Sequence, residues 1–205
     1  MGRNRTFADN KLLAGTAQLF RRRGFSETSL KDLERETGLM AGSLYHAFGN
    51  KKNVFLKSLD AYHRTVVQWR VETYLKGTHP LKELIEFFRS TYRVEGIPNP
   101  GCLLTNTATE IGADDPEIQK SVEEGFSILR NAFVSQIRLA QAHHLVPANP
   151  SPALAAEFLL TAYQGVLVRV RNGAPEKVLD DTVRMVIGAL SSEPNLGQRK
   201  RKPKI

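Results

Sequence analysis

Residues 25–56 read FSETSLKDLERETGLMAGSLYHAFGNKKNVFL. Their side chains suit the holding of a polyanion better than the breaking of a bond. Tyr45, His46, Lys51 and Lys52 supply donors for phosphate oxygens and base edges. Ala41, Gly42 and Ser43 are small, so the chain that carries them can approach a surface closely. Lys51 and Lys52 open a helix, where the macrodipole disfavours cations, and a phosphate brought alongside reverses that penalty. Each of these residues alone also suits packing or a solvated helix start. Their order and spacing together do not.

The elements that must carry them are short helices. Thr28 and Ser29 precede a helix with Leu30 and Leu33, which Gly38 ends, and Met40 to Phe48 forms the next. Two such helices about a turn at Gly38-Leu39-Met40 have the size and order of a helix-turn-helix, whose second helix enters the major groove. Leu33, Leu39, Leu44 and Phe48 supply apolar faces to clamp the pair. Lys11 to Arg23 keeps Leu12, Leu13, Ala17, Leu19 and Phe20 on one face, with Asp9 as its start signal and Gly24 as its stop. A long helix then runs from Lys51 through Phe55, Leu59, Tyr62 and Val66 towards Leu75.

The same periodicity continues to the end. Helices are predicted over Leu81 to Tyr92, Cys102 to Ile111, Ile118 to His144 behind Asp115-Pro116-Glu117, Ala153 to Asn172, and Glu176 to Leu190. No alternating strand pattern exceeds four or five residues. The expectation is an all-α fold, with a DNA-binding head at 1–50, a ligand-binding and dimerisation body at 51–192 and a basic disordered tail at 193–205.

The 205 residues are 41% apolar and carry a formal charge of +8. That charge sits at the ends: +5 in residues 1–56, +5 in the last seven, and −2 between. An acidic-to-neutral body with a basic end suits a protein that meets a polyanion at one place. No run reaches ~18 consecutive apolar residues, and MGRNRTFADN lacks a signal-peptide core, so the expected compartment is the cytoplasm. The single cysteine, Cys102, makes no internal disulfide, and His143-His144 has no further ligand at metal spacing, so neither metal nor cofactor is expected. No nucleophile–base grouping or phosphate-binding glycine loop points to an enzyme. A nucleoid-type protein driven by its basic ends is the remaining rival.

Phe20, Gly24, Phe25, Thr28-Ser29, Leu33, Gly38-Leu39, Ser43-Leu44-Tyr45-His46, Phe48 and Lys51 resemble the N-terminal domain of the TetR family of bacterial transcriptional regulators. The resemblance covers about residues 8–56. It implies a three-helix DNA-binding domain and a helical body that dimerises through its last two helices. It further implies contacts to a double-stranded operator from Thr28 or Ser29, from Ala41, Gly42, Ser43, Tyr45 and His46, and from Lys51. Ala47 departs from the family, which usually carries an aromatic residue or His there. Glu36 replaces a commonly small residue.

Residues 101–118, GCLLTNTATEIGADDPEI, resemble a segment that forms a pocket-side helix in one subset of that family. Thr105, Thr109 and Glu110 are candidates to face inward, and Phe88, Tyr92, Phe126, Phe133 and Tyr163 are candidates to line an effector cavity or simply to fill the core. Cys102 opens this helix and is either a sensor of electrophiles and oxidants or a small buried side chain. Ala156 to Val170 and Val178 to Leu190 are apolar over more than one face, which predicts a homodimer through about 153–172 and 176–190. The most direct function is that of a repressor released from a palindromic operator by a small molecule. The tail GQRKRKPKI either adds DNA attraction or is only a solvated end.

Overall fold

The computed structural model describes residues 2–93 and 99–191, with side chains from residue 11 onwards. The basic tail, the side chains of MGRNRT and Ile97-Pro98 lie outside the described residues. The chain forms α1 (Gly2–Arg23), α2 (Leu30–Thr37), α3 (Ala41–Phe48), α4 (Lys51–Tyr62), a π-helical segment (His63–Gln68) and α5 (Trp69–Tyr74). There follow α6 (Pro80–Arg89), α7 (Leu103–Glu110), α8 (Pro116–Ala142), α9 (Pro152–Arg171) and α10 (Glu176–Leu190). Among the described residues there is no strand, as expected of an all-α chain.

Local chemistry sets the helix starts. Ser29 and Asp32 form a reciprocal capping box at α2. Asn50 accepts from the Asn53 amide at α4, and Asp115 accepts from the Glu117 and Ile118 amides at α8, where Pro116 fills the first turn. Gly38 ends α2 at φ +70°, with its N–H on the Glu34 carbonyl. The helix expected to begin at Asp9 begins instead at Gly2. No proline interrupts residues 2–23, so the backbone continues upstream.

The head packs α1 against α4 and α2. Phe20 meets Phe55 edge to face at 4.8 Å, and Phe25 lies 4.9 Å from Phe55. The first turns of α4 therefore belong to the head's core, beyond residue 50. Leu33 and Leu44 are fully buried and hold α2 and α3 together, each burial worth about 1.5–3 kcal/mol. In the body α8 runs along α9, and α10 closes on α6 and α9. Phe87, Phe88, Phe133 and Tyr163 form one aromatic cluster between them.

The single helix expected from Lys51 to Leu75 is interrupted by the π turn. That turn holds one more residue than an α turn, so Tyr62 and His63 both face inward. His63 packs against Gly125, where an added Cβ would fall 2.7 Å from Nε2 and 2.6 Å from Leu104. Its Nε2 is buried without a hydrogen-bond partner among the described residues, and burial lowers its pKa below the ordinary 6.5. The imidazole is therefore stored neutral. Above 6.5 neither folded nor unfolded chain binds the proton. As pH falls below 6.5 the unfolded chain takes it up first, and stability declines. Urea midpoints at about pH 7.5 and about pH 5.5 should fall more for wild type than for His63→Leu. Equal losses would contradict this.

Candidate functional site

The head presents one face free of apolar burial. On α3, Gly42, Ser43, Tyr45 and His46 are exposed and Ala41 is half-buried. Tyr45 is 42% exposed, and Met40, the N-cap residue of α3, is 75% exposed. Leu44 points the other way, into the core. The helix is thus fixed by one apolar side while its small and hydrogen-bonding residues face out. Its start is further held by the Ala41 N–H, which donates to Glu34 Oε1 at 2.6 Å. Ala47, where the family departs, is exposed and leaves no gap in the core.

The remaining expected contacts separate. Thr28 is fully buried and its hydroxyl donates to the Gly24 carbonyl, so its side chain faces the interior. Ser29 is exposed, although its hydroxyl already serves the α2 cap. Lys51 reaches the Ser26 carbonyl at 3.3 Å and lies 4.6 Å over the Phe25 ring. Lys52, expected to act beside it, is instead paired with Asp115 at 2.9 Å and with Glu117 on α8. Those two hydrogen bonds raise the Lys52 pKa, and Lys52 in turn lowers that of Asp115. Glu36 is exposed and pairs with Arg22 at 3.4 Å.

Within the body lies a cavity of about 290 Å³. Of the eight expected effector residues, Cys102 and Tyr163 line it. Phe88 and Phe133 are fully buried and pack on one another, so they fill the core. Phe126 lines a separate shallow groove with Ala108 and Pro116. Tyr92 donates its hydroxyl to Asp180 at 2.6 Å, tying the end of α6 to α10. Thr105 is buried with its hydroxyl unpartnered, and Thr109 is exposed and bonded to carbonyls of its own helix. The sequence reading missed Tyr62, Trp69, Arg70 and Arg21 as cavity residues. Three of these belong to the π turn or its flanks, whose altered phase an α-helical reading does not register.

Cys102 is the N-cap residue of α7 and is nearly buried, with the Tyr62 hydroxyl donating to Sγ at 3.6 Å. Burial pushes the Tyr62 hydroxyl well above its ordinary pKa. α7 is short, and its far end reaches the head. Glu110, expected to face inward, instead accepts from the Phe25 N–H at 3.0 Å and the Ser26 N–H at 2.7 Å. Gly24 makes room for it: a Cβ there would fall 2.6 Å from Glu110 Oε2, and φ is +86°. Midway along α7, Asn106 donates to the Arg21 carbonyl at 3.0 Å, while Arg21 Nε donates to the Gly101 carbonyl at 2.6 Å.

The family model for bacterial regulatory proteins of the tetR family matches residues 12–57, and that for the tetracyclin repressor-like C-terminal domain matches residues 77–186. The chain belongs to the TetR family. As a TetR-family protein it is a DNA-binding transcriptional regulator with a helix-turn-helix head. It is 26% identical over 177 residues to the HTH-type transcriptional repressor ComR of Escherichia coli, covering 84% of each chain. A TetR regulator of Chloroflexus aurantiacus shares its fold with a TM-score of 0.80 at 21% identity, over 93% of this chain and 98% of that one. A cysteine mutant of the TetR-family regulator CifR, solved with double-strand operator DNA, gives 0.76 at 21% identity, over 88% and 95%. The family is one of regulators rather than of enzymes.

Lys51 and Lys52 make a matched pair for measurement. Lys51→Ala should weaken binding to all DNA sequences alike and lower the salt slope by ~1, the mark of one lost phosphate contact. Lys52→Ala, whose charge is already taken up by Asp115 and Glu117, should leave the slope unchanged. An unchanged slope for Lys51→Ala would remove it from the contact surface.

Proposed function

We propose that this TetR-family chain is a cytoplasmic repressor that binds a palindromic operator as a two-fold dimer and leaves it when a small molecule fills the cavity. The observation that carries this reading is α7, whose N-cap residue Cys102 walls the cavity and whose last residue, Glu110, holds the turn before α2. A ligand that displaces Cys102 moves a helix of eight residues with little room to bend. The head then rotates relative to its twin, and two recognition helices no longer match successive grooves. Such a ligand must bind the non-operator arrangement more tightly, since equal affinity shifts nothing.

The operator contacts assigned in this reading are Ser29, Ala41, Gly42, Ser43, Tyr45, His46 and Lys51, with the Thr28 side chain excluded by its burial. Residues up to about 50 form the reading domain and those from 51 to 192 the ligand-binding and dimerising one, with α4 shared between them. Selection from random DNA followed by footprinting should give two symmetrical half-sites ~34–36 Å apart. A single unpaired half-site, or no preferred sequence, would overturn the reading.

Support for the dimer comes from an apolar face that has no cover among the described residues of one chain. α9 is long and apolar enough to cross a membrane by length and composition, at a mean hydropathy of 1.3. Its Leu159, Leu160, Tyr163 and Leu167 are nevertheless buried within the body. The opposite side exposes Leu154, Phe158, Thr161, Gly165 and Val168, spaced four, three, four and three apart. α10 continues the stripe with Val178, Thr182, Met185 and Ala189. That 3.5-residue period suits the seam of a four-helix bundle made with a second copy. Phe158→Glu should convert a dimer into a folded monomer in light scattering at micromolar concentration. A monomeric wild type would contradict the seam.

A second reading rests on Cys102, because its thiol faces the cavity and meets the Tyr62 hydroxyl. In that case electrophiles or oxidants release the operator by modifying Sγ. Cys102→Ser should then keep operator binding and lose the release. An intact response in that variant ends this reading.

A further inference from the structure

Among the described residues, three guanidinium groups and no carboxylate line the cavity: Arg21 from α1, Arg70 from α5 and Arg93 just beyond α6. Arg93 is neutralised by Glu176 and Asp180, each at 2.9 Å. Arg21 and Arg70 have no acidic partner among the described residues. Arg21 is engaged by neutral acceptors only, the Gly101 carbonyl, Asn99 Oδ1 at 2.8 Å and Gln18 Oε1 at 3.2 Å. Arg70 donates to the Phe87 carbonyl and the Ser90 hydroxyl, both at 2.8 Å, and lies 4.9 Å over the Phe87 ring. Its Nε is buried and has no hydrogen-bond partner among the described residues.

Each arginine has a structural task as well. Arg70 meets the carbonyl end of α6, where a cation is favoured, and Arg21 braces the start of α7. Neither task consumes the charge. A half-buried guanidinium held by neutral acceptors has lost hydration without gaining a counter-ion. Both charges also reach one phenol. Arg70 and Arg21 each favour ionisation of the buried Tyr163 hydroxyl, against a burial that carries its pKa to about 12. The rest of the wall, with Val67, Trp69, Leu129 and Leu167, is apolar and aromatic.

We infer that the ligand of this cavity is a small organic anion, an aromatic or short apolar body bearing one carboxylate that Arg70 and Arg21 receive. The planar carboxylate matches the fork of a guanidinium, and a volume of about 290 Å³ limits the body to roughly one ring. The inference rests on the effector cavity proposed above and narrows its occupant. It also supplies a direct pull on the head. Arg21 is part of α1, so an anion that draws it from the Gly101 carbonyl loosens the bond between head and α7.

The test uses matched probes of nearly equal shape: benzoate and phenylacetate against benzamide and phenylacetamide. Each is titrated calorimetrically into the full chain at constant ionic strength, as wild type, Arg70→Gln and Arg70→Lys. The acids should bind wild type about tenfold or more tightly than the amides. Arg70→Gln should remove that preference, and Arg70→Lys should keep part of it even if Arg70→Gln folds poorly. A purely structural Arg70 would weaken acids and amides alike. Amides that match the acids, a preference that survives Arg70→Gln, or an absence of binding by all four probes overturns the assignment. None of these results touches the operator selection, whose failure alone would bring down the regulator reading.

Discussion

One carboxylate ties α7 of the body to the turn that follows α1 in the head. Glu110, at the last turn of α7, receives the amide hydrogens of Phe25 and Ser26, which lie in the turn between α1 and α2. Amide donors before a helix pair are orphans that water would otherwise satisfy, and a charged acceptor holds them more strongly than a neutral one. Gly24 is required twice at this point, for its left-handed backbone and for the missing Cβ that lets the carboxylate close in. Ser26 in turn accepts from Lys51 through its carbonyl. One short turn therefore receives the body's grip on one side and the ammonium of Lys51 on the other.

Two further ties keep the head from pivoting about that point. Asn106 and Arg21 lace α7 to α1, and Lys52 pins the start of α4 to the start of α8 through Asp115 and Glu117. The last group is half-exposed and screened by salt, so its role is geometric more than energetic. The arrangement explains why neighbouring lysines differ in use. Among the described residues, Lys51 meets the Phe25 ring and the Ser26 carbonyl, whereas Lys52 is spent on the body. Motion of α7 reaches the head through hydrogen bonds at both ends, and the cavity lies at the end where Cys102 starts the helix.

The helices and the head were legible in the sequence because their signals are local. Ser29, Gly38 and Asp115-Pro116 each act within one turn, and the structure uses them at those positions. The cavity was far less so. Phe88 and Phe133 have the same type and spacing as pocket residues, and only three-dimensional packing on Phe87 and Tyr163 assigns them to the core. Arg70 and Trp69 were hidden by the π turn, which no apolar period marks. Lys52 and Glu110 were misjudged for a common reason. Their partners lie more than sixty residues away, and a charge on a surface helix gives no sign of a distant mate.

The central claim is that operator binding depends on Glu110 through the amides it holds, not through any contact with DNA. The direct measurement is the operator affinity of Glu110→Ala across a range of salt concentrations, beside wild type. The account requires affinity to fall about tenfold while the salt slope stays the same, since no phosphate contact is lost. An affinity equal to that of wild type would contradict it.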